Sequence, residues 1–294
     1  MRKLKFISKI YSNLYGHIGS YFLKDLKKYT HLIIKGDGSS WVQEEIAKDL
    51  ILMAKNLNIK TINSRYHNSM KNQCIYHIDK YAVLQNWKDP LNRIAFPYYH
   101  GKPDSHPGFY KMLKTIEKNH LKISKILVPN SDIENVILNT NISSSKVHRI
   151  PISINIDNFK FVDKVQRRKS REFLNINDNV RLIGLFQKDG QGWGQGMDPK
   201  LIKGPDVFIN CMNLLKSKIP NLQVLLTGPS RGYVKKKLND LKIPYQHHYI
   251  KSYQDIQKFY HALDLYIIPS REEGGPRALL ESMACGIPLV TTNV

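Results

Sequence analysis

The chain has 294 residues, enough for two domains of ordinary size, each with its own core. Its three cysteines, Cys74, Cys211 and Cys285, are odd in number, far apart and without Cys-x-x-Cys spacing; this argues against a disulfide framework or zinc knuckle and for a reducing, cytoplasmic setting. A formal net charge of +21 favours phosphate-bearing partners (nucleic acid, anionic lipid or phosphorylated substrates), although Lys, Asn and Ile are abundant throughout and part of the excess is compositional. No apolar run approaches the ~20 residues that cross a bilayer, and the N-terminus lacks the continuous apolar core of a secretory signal.

Residues 1–28 form the first segment. Arg2, Lys3, Lys5, Lys9, Lys24, Lys27 and Lys28 stand against Asp25, while Phe6, Ile10, Leu14, Ile18 and Phe22 recur at helical spacing. Such a basic amphipathic helix either lies on an anionic membrane surface or packs on the first domain. A strand follows at His31–Ile34. Gly36-Asp37-Gly38-Ser39-Ser40 reads as a turn, and Trp41–Leu57 as an amphipathic helix capped by Ser39 or Ser40. Apolar runs at Ile59–Ile62, Cys74–Ile78 and Ile94–Phe96 predict strands, and a helix spans about Gly108 to Leu121. Ile126–Pro129 is a further strand, Ser131 caps a helix over Asp132–Leu138, and Val147–Ile150 is a strand.

Irregular sequence from Pro151 to Lys164 separates the halves, giving domains over 29–159 and 160–294. In the second, strands are expected at Arg181–Phe186, Leu222–Leu226, Tyr245–Ile250, Leu265–Ile268 and Pro288–Thr292. They alternate with helices at Asp206–Lys218, Tyr233–Leu241, Gln254–Leu263 and Pro276–Ala284, the pattern of a mainly parallel α/β sheet. Between Gln187 and Lys203 lies a Gly-rich loop, and a structureless loop of that length is usually functional or mobile. The last strand has no helix after it, so the sequence is expected to be a fragment with its second domain incomplete at the C-terminal end.

The stretch from Pro269 to Gly286 carries the chemistry. Leu265–Pro269 reads as a buried strand, so Gly274 and Gly275 fall at its carboxyl end, where open α/β sheets bind ligands. Pro276 suits the first helical position, and the N–H groups of Arg277, Ala278 and Leu279 would then offer a phosphate seat that the glycines leave approachable. Glu273 and Glu281 flank this seat and would accept hydrogen bonds from sugar hydroxyls. The plainer reading is also open: acids near a helix start favour its dipole, and Glu281, four residues after Arg277, would make an ordinary surface ion pair. His247 and His248 are adjacent on a strand, so their rings point to opposite faces and cannot readily share a metal ion.

With these motifs in place, the chain resembles the retaining glycosyltransferases of family 4, the group 1 enzymes with two Rossmann-like domains facing a cleft, the GT-B fold. The resemblance rests on Glu273 and Glu281, set between Asp264-Leu-Tyr-Ile-Ile-Pro-Ser and Met283-Ala-Cys-Gly-Ile-Pro. Lys203-Gly204-Pro205-Asp206, Leu225-Leu226-Thr227-Gly228 and the run from Val147 to Asp157 add to it, and His100-Gly101 matches the family's strand-end histidine. It is strong from about Ile123 to Val294, moderate from Leu32 to Gly101 and absent before Tyr29.

By this resemblance Glu273 would hold the donor sugar, Glu281 the ribose, and Lys188 and Lys203 the diphosphate, together with Gly274, Gly275, Pro276 and Arg277. The lysines would neutralise charge as the nucleoside diphosphate leaves, so no metal or other cofactor is implied. His100 would orient the donor sugar or help the acceptor, or else be a hydrogen-bonded strand-end histidine. Gly36 and Gly38 would form a loop facing the cleft, and Asp104 and His106 would lie near the acceptor. The chain departs from the family where Gln187-Lys188 stands in place of the usual Arg and the glycine loop intervenes, which weakens Lys188 relative to Lys203.

The expected function is transfer of a hexose from a nucleoside-diphosphate sugar to an acceptor hydroxyl on a saccharide, lipid-linked or cell-envelope polysaccharide precursor, with retained configuration and without metal. The setting would be cytoplasmic, with peripheral attachment to the inner face of the membrane through residues 1–28. A nucleotide-sugar epimerase or phosphorylase would use the same fold. A basic nucleic-acid-binding protein is disfavoured, because no zinc-finger, RNP or helix-turn-helix signature is present.

Overall fold

The computed structural model describes residues 32–35, 42–63, 74–78, 93–250 and 252–294. The segment 1–28, Gly36 and Gly38 lie outside the described residues. The chain divides between Pro151 and Ile152 into two units, each built on one sheet. The first sheet contains β1 (Leu32–Lys35), β2 (Thr61–Asn63), β3 (Cys74–His77), β4 (Arg93–Pro97), β5 (Ile123–Val128) and β6 (Val147–Arg149) in the order β2-β1-β3-β4-β5-β6. The second contains β7 (Arg181–Leu185), β8 (Leu222–Thr227), β9 (Tyr245–His248), β10 (Leu265–Ile268) and β11 (Leu289–Thr291) in the order β11-β10-β7-β8-β9. All pairings in both sheets are parallel, as alternating strands and helices require.

The helices of the first unit are α1 (Val42–Asn56), α2 (Pro107–Lys118) and α3 (Ser131–Leu138). Those of the second are α4 (Lys164–Phe173), α5 (Pro205–Lys216), α6 (Gly232–Asp240), α7 (Ile256–His261) and α8 (Arg277–Ala284). Local chemistry sets their ends. The imidazole Nδ1 of His106 accepts the Gly108 N–H at 2.9 Å and Pro107 opens the first turn of α2. Asn130, not Ser131, caps α3, its Oδ1 accepting the Ile133 N–H at 2.9 Å, so Ser131 is already helical.

Along β7, β8 and β10 of the second sheet, successive side chains enter different cores. Leu182, Leu225, Tyr266 and Ile268 join one; Ile183, Leu185, Val224, Leu226 and Ile267 join the other. Both faces are therefore buried, which is why these strands read as continuous apolar runs instead of alternating ones. In the first unit, Ile94, Phe96, Ile126 and Val128 pack with Met112 and Ile116 of α2 and Ile133 and Ile137 of α3.

Helix α4 falls beside the stretch read as an irregular join. It has little apolar periodicity, and its sequence signal is instead a capping box, in which Asp163 accepts the Gln166 N–H and the Gln166 side chain accepts the Asp163 N–H. Arg171, on its inner face, is buried and donates to the carbonyls of Ala262, Asn177 and Val180. Arg167 pairs with Asp264 at 2.7 Å, and Asp264 also accepts the Leu182 N–H at 2.8 Å. This clamp fastens α4 across the amino ends of β7 and β10, the end opposite to the candidate site.

Candidate functional site

In the second sheet β10 and β11 lie on one side of β7, and β8 and β9 on the other. The chain reverses its direction of winding between β7 and β10, and an open parallel sheet is cleft at its carboxyl edge at such a point. Gln187 and Lys188 follow β7, and the segment from Pro269 to Pro276 follows β10, so the chain's Gln-Lys and Glu-Gly-Gly elements meet there.

Gly204 brings in the third element. It holds a left-handed φ of 64°, and a Cβ there would come within 1.8 Å of the Pro269 carbonyl oxygen. Only glycine lets the start of α5 approach the end of β10 so closely. Arg271 locks the contact with a two-pronged pair to Asp206, at 2.8 and 2.6 Å, and its N–H donates to the Ile202 carbonyl.

Lys203 is thereby placed against Glu273, Nζ to Oε1 at 2.5 Å, with both side chains largely buried. The same oxygen accepts the Gln187 amide at 2.9 Å and the Ser270 hydroxyl at 2.7 Å. Three donors converge on Oε1, leaving Oε2 without a donor among the described residues. Lys203 has three N–H donors and spends one here, so it can hold Glu273 and still reach an anion. Thr292, just after β11, donates to the Ser270 carbonyl and steadies the same turn.

The Gly-rich segment is folded, contrary to its reading as a structureless loop. Gly190 and Gly196 lie against the Ser230 backbone, where a Cβ would come within 2.2 and 2.3 Å. The single Ser230 hydroxyl proton is shared between the carbonyls of Gly192 and Gly194, and the N–H groups of Gly232 and Tyr233 donate to the carbonyls of Gln195 and Gly196. The loop thus caps α6 with its own backbone. Beneath it, Asp189 pairs with Arg231 at 3.3 Å with both side chains out of contact with water, and burial pushes the Asp189 carboxyl up to about 6 against the pull of Arg231.

Lys188 rests over the Trp193 ring at 3.9 Å, and burial lowers its pKa. Lys200, which no motif singles out, is held down to about 8, first by burial and then by the charges of Lys203 and Lys188, with Glu273 opposing. Sequence reasoning missed it because nothing in the spacing of this loop says which of its lysines turns inward.

Two expectations about α8 are corrected. Pro276 has an extended ψ of 129° and serves as N-cap, so the helix starts at Arg277, and the Leu279 N–H is taken by the Pro276 carbonyl at 3.0 Å. The seat is one donor poorer than expected. Glu281 is buried instead of lying on an open surface: it accepts the Tyr260 hydroxyl at 2.9 Å and the Tyr253 hydroxyl, with Arg277 Nε at 3.7 Å. Burial raises its pKa, opposed by the tyrosine hydrogen bonds and by Arg277. The Arg277–Glu281 pair is therefore a buried one. Arg277 also lies over the Tyr253 ring at 5.6 Å. Gly274 and Gly275 form the turn before α8, Gly275 with a φ of 106°.

In the first unit His100 follows β4 and meets Phe109 edge-on at 5.7 Å, beside Gly101, whose carbonyl accepts the Tyr98 hydroxyl at 2.7 Å. His106 is occupied in capping α2, and Asp104 lies exposed in the same loop. In the second unit His247 meets the Gly228 carbonyl and His248 the Gln246 side chain. Among the described residues, no group of three or more His, Cys, Asp or Glu is placed to hold a metal ion, and no helix is long and apolar enough to cross a membrane.

Residues 199–294 match the family model of glycosyl transferases group 1, a stretch that contains Lys200, Lys203, Glu273 and Glu281. The chain is 23% identical over 188 residues to the lipopolysaccharide core biosynthesis mannosyltransferase LpsB of Rhizobium meliloti, covering 60% of this chain and 50% of that one. It is 30% identical over 93 residues to an uncharacterized glycosyltransferase of Haemophilus influenzae, covering 31% of this chain and 26% of that one. The chain thus spans half or less of the length of these curated relatives. Among solved structures, Anabaena Alr3699/HepE in complex with UDP and glucose matches with a TM-score of 0.66 at 15% identity, over 90% of this chain and 81% of that one. WaaG, a glycosyltransferase involved in lipopolysaccharide biosynthesis, matches with a TM-score of 0.61 at 14% identity, again over 90% and 81%. The fold is α/β with two Rossmann-like sheets, the GT-B fold.

Proposed function

We propose that this protein is a glycosyltransferase that moves a hexose from a nucleoside-diphosphate sugar to a hydroxyl of a saccharide or lipid-linked precursor of a cell-envelope polysaccharide, with retention at the anomeric carbon. The observation that carries the reading is the convergence of Lys203, Gln187 and Ser270 on one oxygen of Glu273 at the switch point of the second sheet. It lies within the stretch that matches group 1 glycosyl transferases, and relatives named for lipopolysaccharide synthesis support the substrate class.

In this reading the diphosphate sits between the lysines and the turn at Gly274 and Gly275, with Pro276 and Arg277 at its edge. The Glu273 carboxylate, held through Oε1, presents Oε2 to the hydroxyls of the donor sugar. As the glycosidic bond to phosphate breaks, negative charge grows on the leaving diphosphate, and the fixed ammonium of Lys203 stabilises that charge more in the transition state than before it. The leaving phosphate oxygen takes up the proton of the attacking hydroxyl on the same face, which gives retention without a carboxylate nucleophile. Glu281 supports the ribose side through Tyr253 and Arg277. The lysines supply the positive charge that a divalent cation supplies elsewhere, so turnover should persist in EDTA. Residues 1–28 would hold the enzyme at the cytoplasmic face of the membrane.

The test is a panel of UDP- and GDP-hexoses with saccharide acceptors, followed by product analysis. Acceptor-dependent release of nucleoside diphosphate with an α-linked product from an α-linked donor supports the reading. Conversion of the donor without an acceptor would indicate an epimerase, and dependence on free phosphate a phosphorylase.

A further inference from the structure

Lys200 opens the short turn Leu201–Lys203 and is tied at both ends of its peptide unit. Its N–H donates to the Asp189 carbonyl at 2.6 Å, and its own carbonyl accepts the Lys203 N–H at 2.8 Å. The bridge between Gly190 and Pro199 comes just before it. Its backbone is thus fixed to the segment leaving β7 on one side and to Lys203 on the other, and its side chain is half-buried, where a loop lysine would ordinarily extend into water.

The charged groups that act on it are Lys203 from the same turn, Lys188 from the segment after β7 and Glu273 from the loop after β10. The nearby Asp189 carboxylate is engaged by Arg231 instead. Two ammonium groups and one carboxylate thus act on Lys200, and that carboxylate is already paired with Lys203. Gathering like charges in a partly buried place is unfavourable for the free protein, and an anion carrying two charges would reverse the sign of that energy.

We propose that Lys200 is a third lysine of the diphosphate seat, closing on the phosphates together with Lys188 and Lys203. This rests on the reading of the protein as a nucleoside-diphosphate-sugar enzyme and adds to it a ligand outside the recognised motif. It has a thermodynamic signature. An ammonium held down to about 8 in the free protein is partly neutral at pH 8, and a bound diphosphate raises it again, so binding draws in protons at that pH. Affinity for the diphosphate then falls as pH rises through 8.

The experiment is titration calorimetry of the full chain with UDP, GDP, ADP and dTDP at pH 8, in buffers of different ionisation enthalpy, with Lys200→Met and Lys200→Arg alongside. The wild type should take up protons on binding. Lys200→Met should bind roughly 10-fold more weakly or worse with the uptake diminished, and Lys200→Arg, permanently charged, should keep affinity within about threefold with the uptake likewise diminished. The arginine variant carries the test if the methionine variant does not fold. No heat from any of the four nucleotides overturns the donor reading and the lysine assignment with it. Heat without proton uptake in the wild type, or uptake undiminished in Lys200→Arg, overturns the lysine assignment alone.

Discussion

Glu273 and Glu281 lie eight positions apart in one strand-turn-helix unit, yet their surroundings differ in kind. Glu273 is met by an ammonium, an amide and a hydroxyl on a single oxygen, beside further lysines. Glu281 is enclosed by two tyrosine hydroxyls and an arginine, and burial pushes its pKa up. Among the described residues the first keeps one oxygen without a donor, whereas each oxygen of the second accepts a tyrosine hydroxyl. Under the proposed function, two acids that look equivalent along the chain would divide the work, Glu273 facing the donor and Glu281 setting the walls around it.

The strongest way to break this division is through the backbone that creates the Glu273 side. Gly204→Ala places a methyl group on the Pro269 carbonyl at a left-handed φ, so the start of α5 must move away and take Lys203 with it. Loss of roughly 4 kcal/mol of unfolding free energy is expected in urea titration, together with loss of transfer activity. An alanine variant of native stability would show that the close approach is not required.

Next, Glu273→Ala should lower kcat/KM by about 10²- to 10³-fold in a coupled nucleotide-release assay, the scale of losing one ligand-facing polar group in an active site. Its melting temperature should also fall, because Lys203, Gln187 and Ser270 lose their common acceptor. Glu281→Ala should act mainly on stability: it leaves the Tyr260 hydroxyl buried without an acceptor, and about 2–3 kcal/mol of stability should be lost. If Glu281→Ala melts like the wild type while activity vanishes, the division between the two acids is wrong.

The smallest effect concerns the pair beneath the glycine loop. The Asp189 carboxyl stands at about 6, above its ordinary 3.8, so its contribution to stability is full below about pH 4 and is lost as pH rises through 6. Relative to Asp189→Asn, which does not titrate, the wild type should gain about 1–3 kcal/mol between pH 7.5 and pH 4 in chemical denaturation. A difference independent of pH would remove Asp189 from this role.

Much of the fold was legible in the chain. Leu182–Leu185, Val224–Leu226 and Tyr266–Ile268 read as buried parallel strands because both faces of their sheet are covered. Lys203-Gly204-Pro205 and Glu273-Gly274-Gly275 announced themselves through glycine and proline, whose backbone demands are local. Four features were not legible, each for a reason that lies outside local sequence. Helix α4 carries its information in a capping box and in a buried arginine that has no apolar signature. The ordering of the glycine loop depends on Ser230, more than thirty residues away. The burial of Glu281 depends on Tyr253 and Tyr260, which lie on a different element. The half-burial of Lys200, on a backbone bonded to Asp189 and Lys203, is a placement that no spacing rule anticipates.

The clamp at the far end of the second sheet bears on how this unit is made. Arg171 finds two partners, the carbonyls of Asn177 and Val180, within ten residues, but the Ala262 carbonyl and the Asp264 carboxylate lie more than ninety positions later. On the ribosome, then, α4 leaves the exit tunnel well before the groups that complete the partners of its guanidinium have been synthesised. The first three strands of the sheet, β7 to β9, must wait with that cation partly hydrated, and the order of translation makes β10 the piece that seals the base. Synthesis paused before residue 264 should therefore yield a nascent unit that proteases cut readily near α4, and release of the pause should protect it.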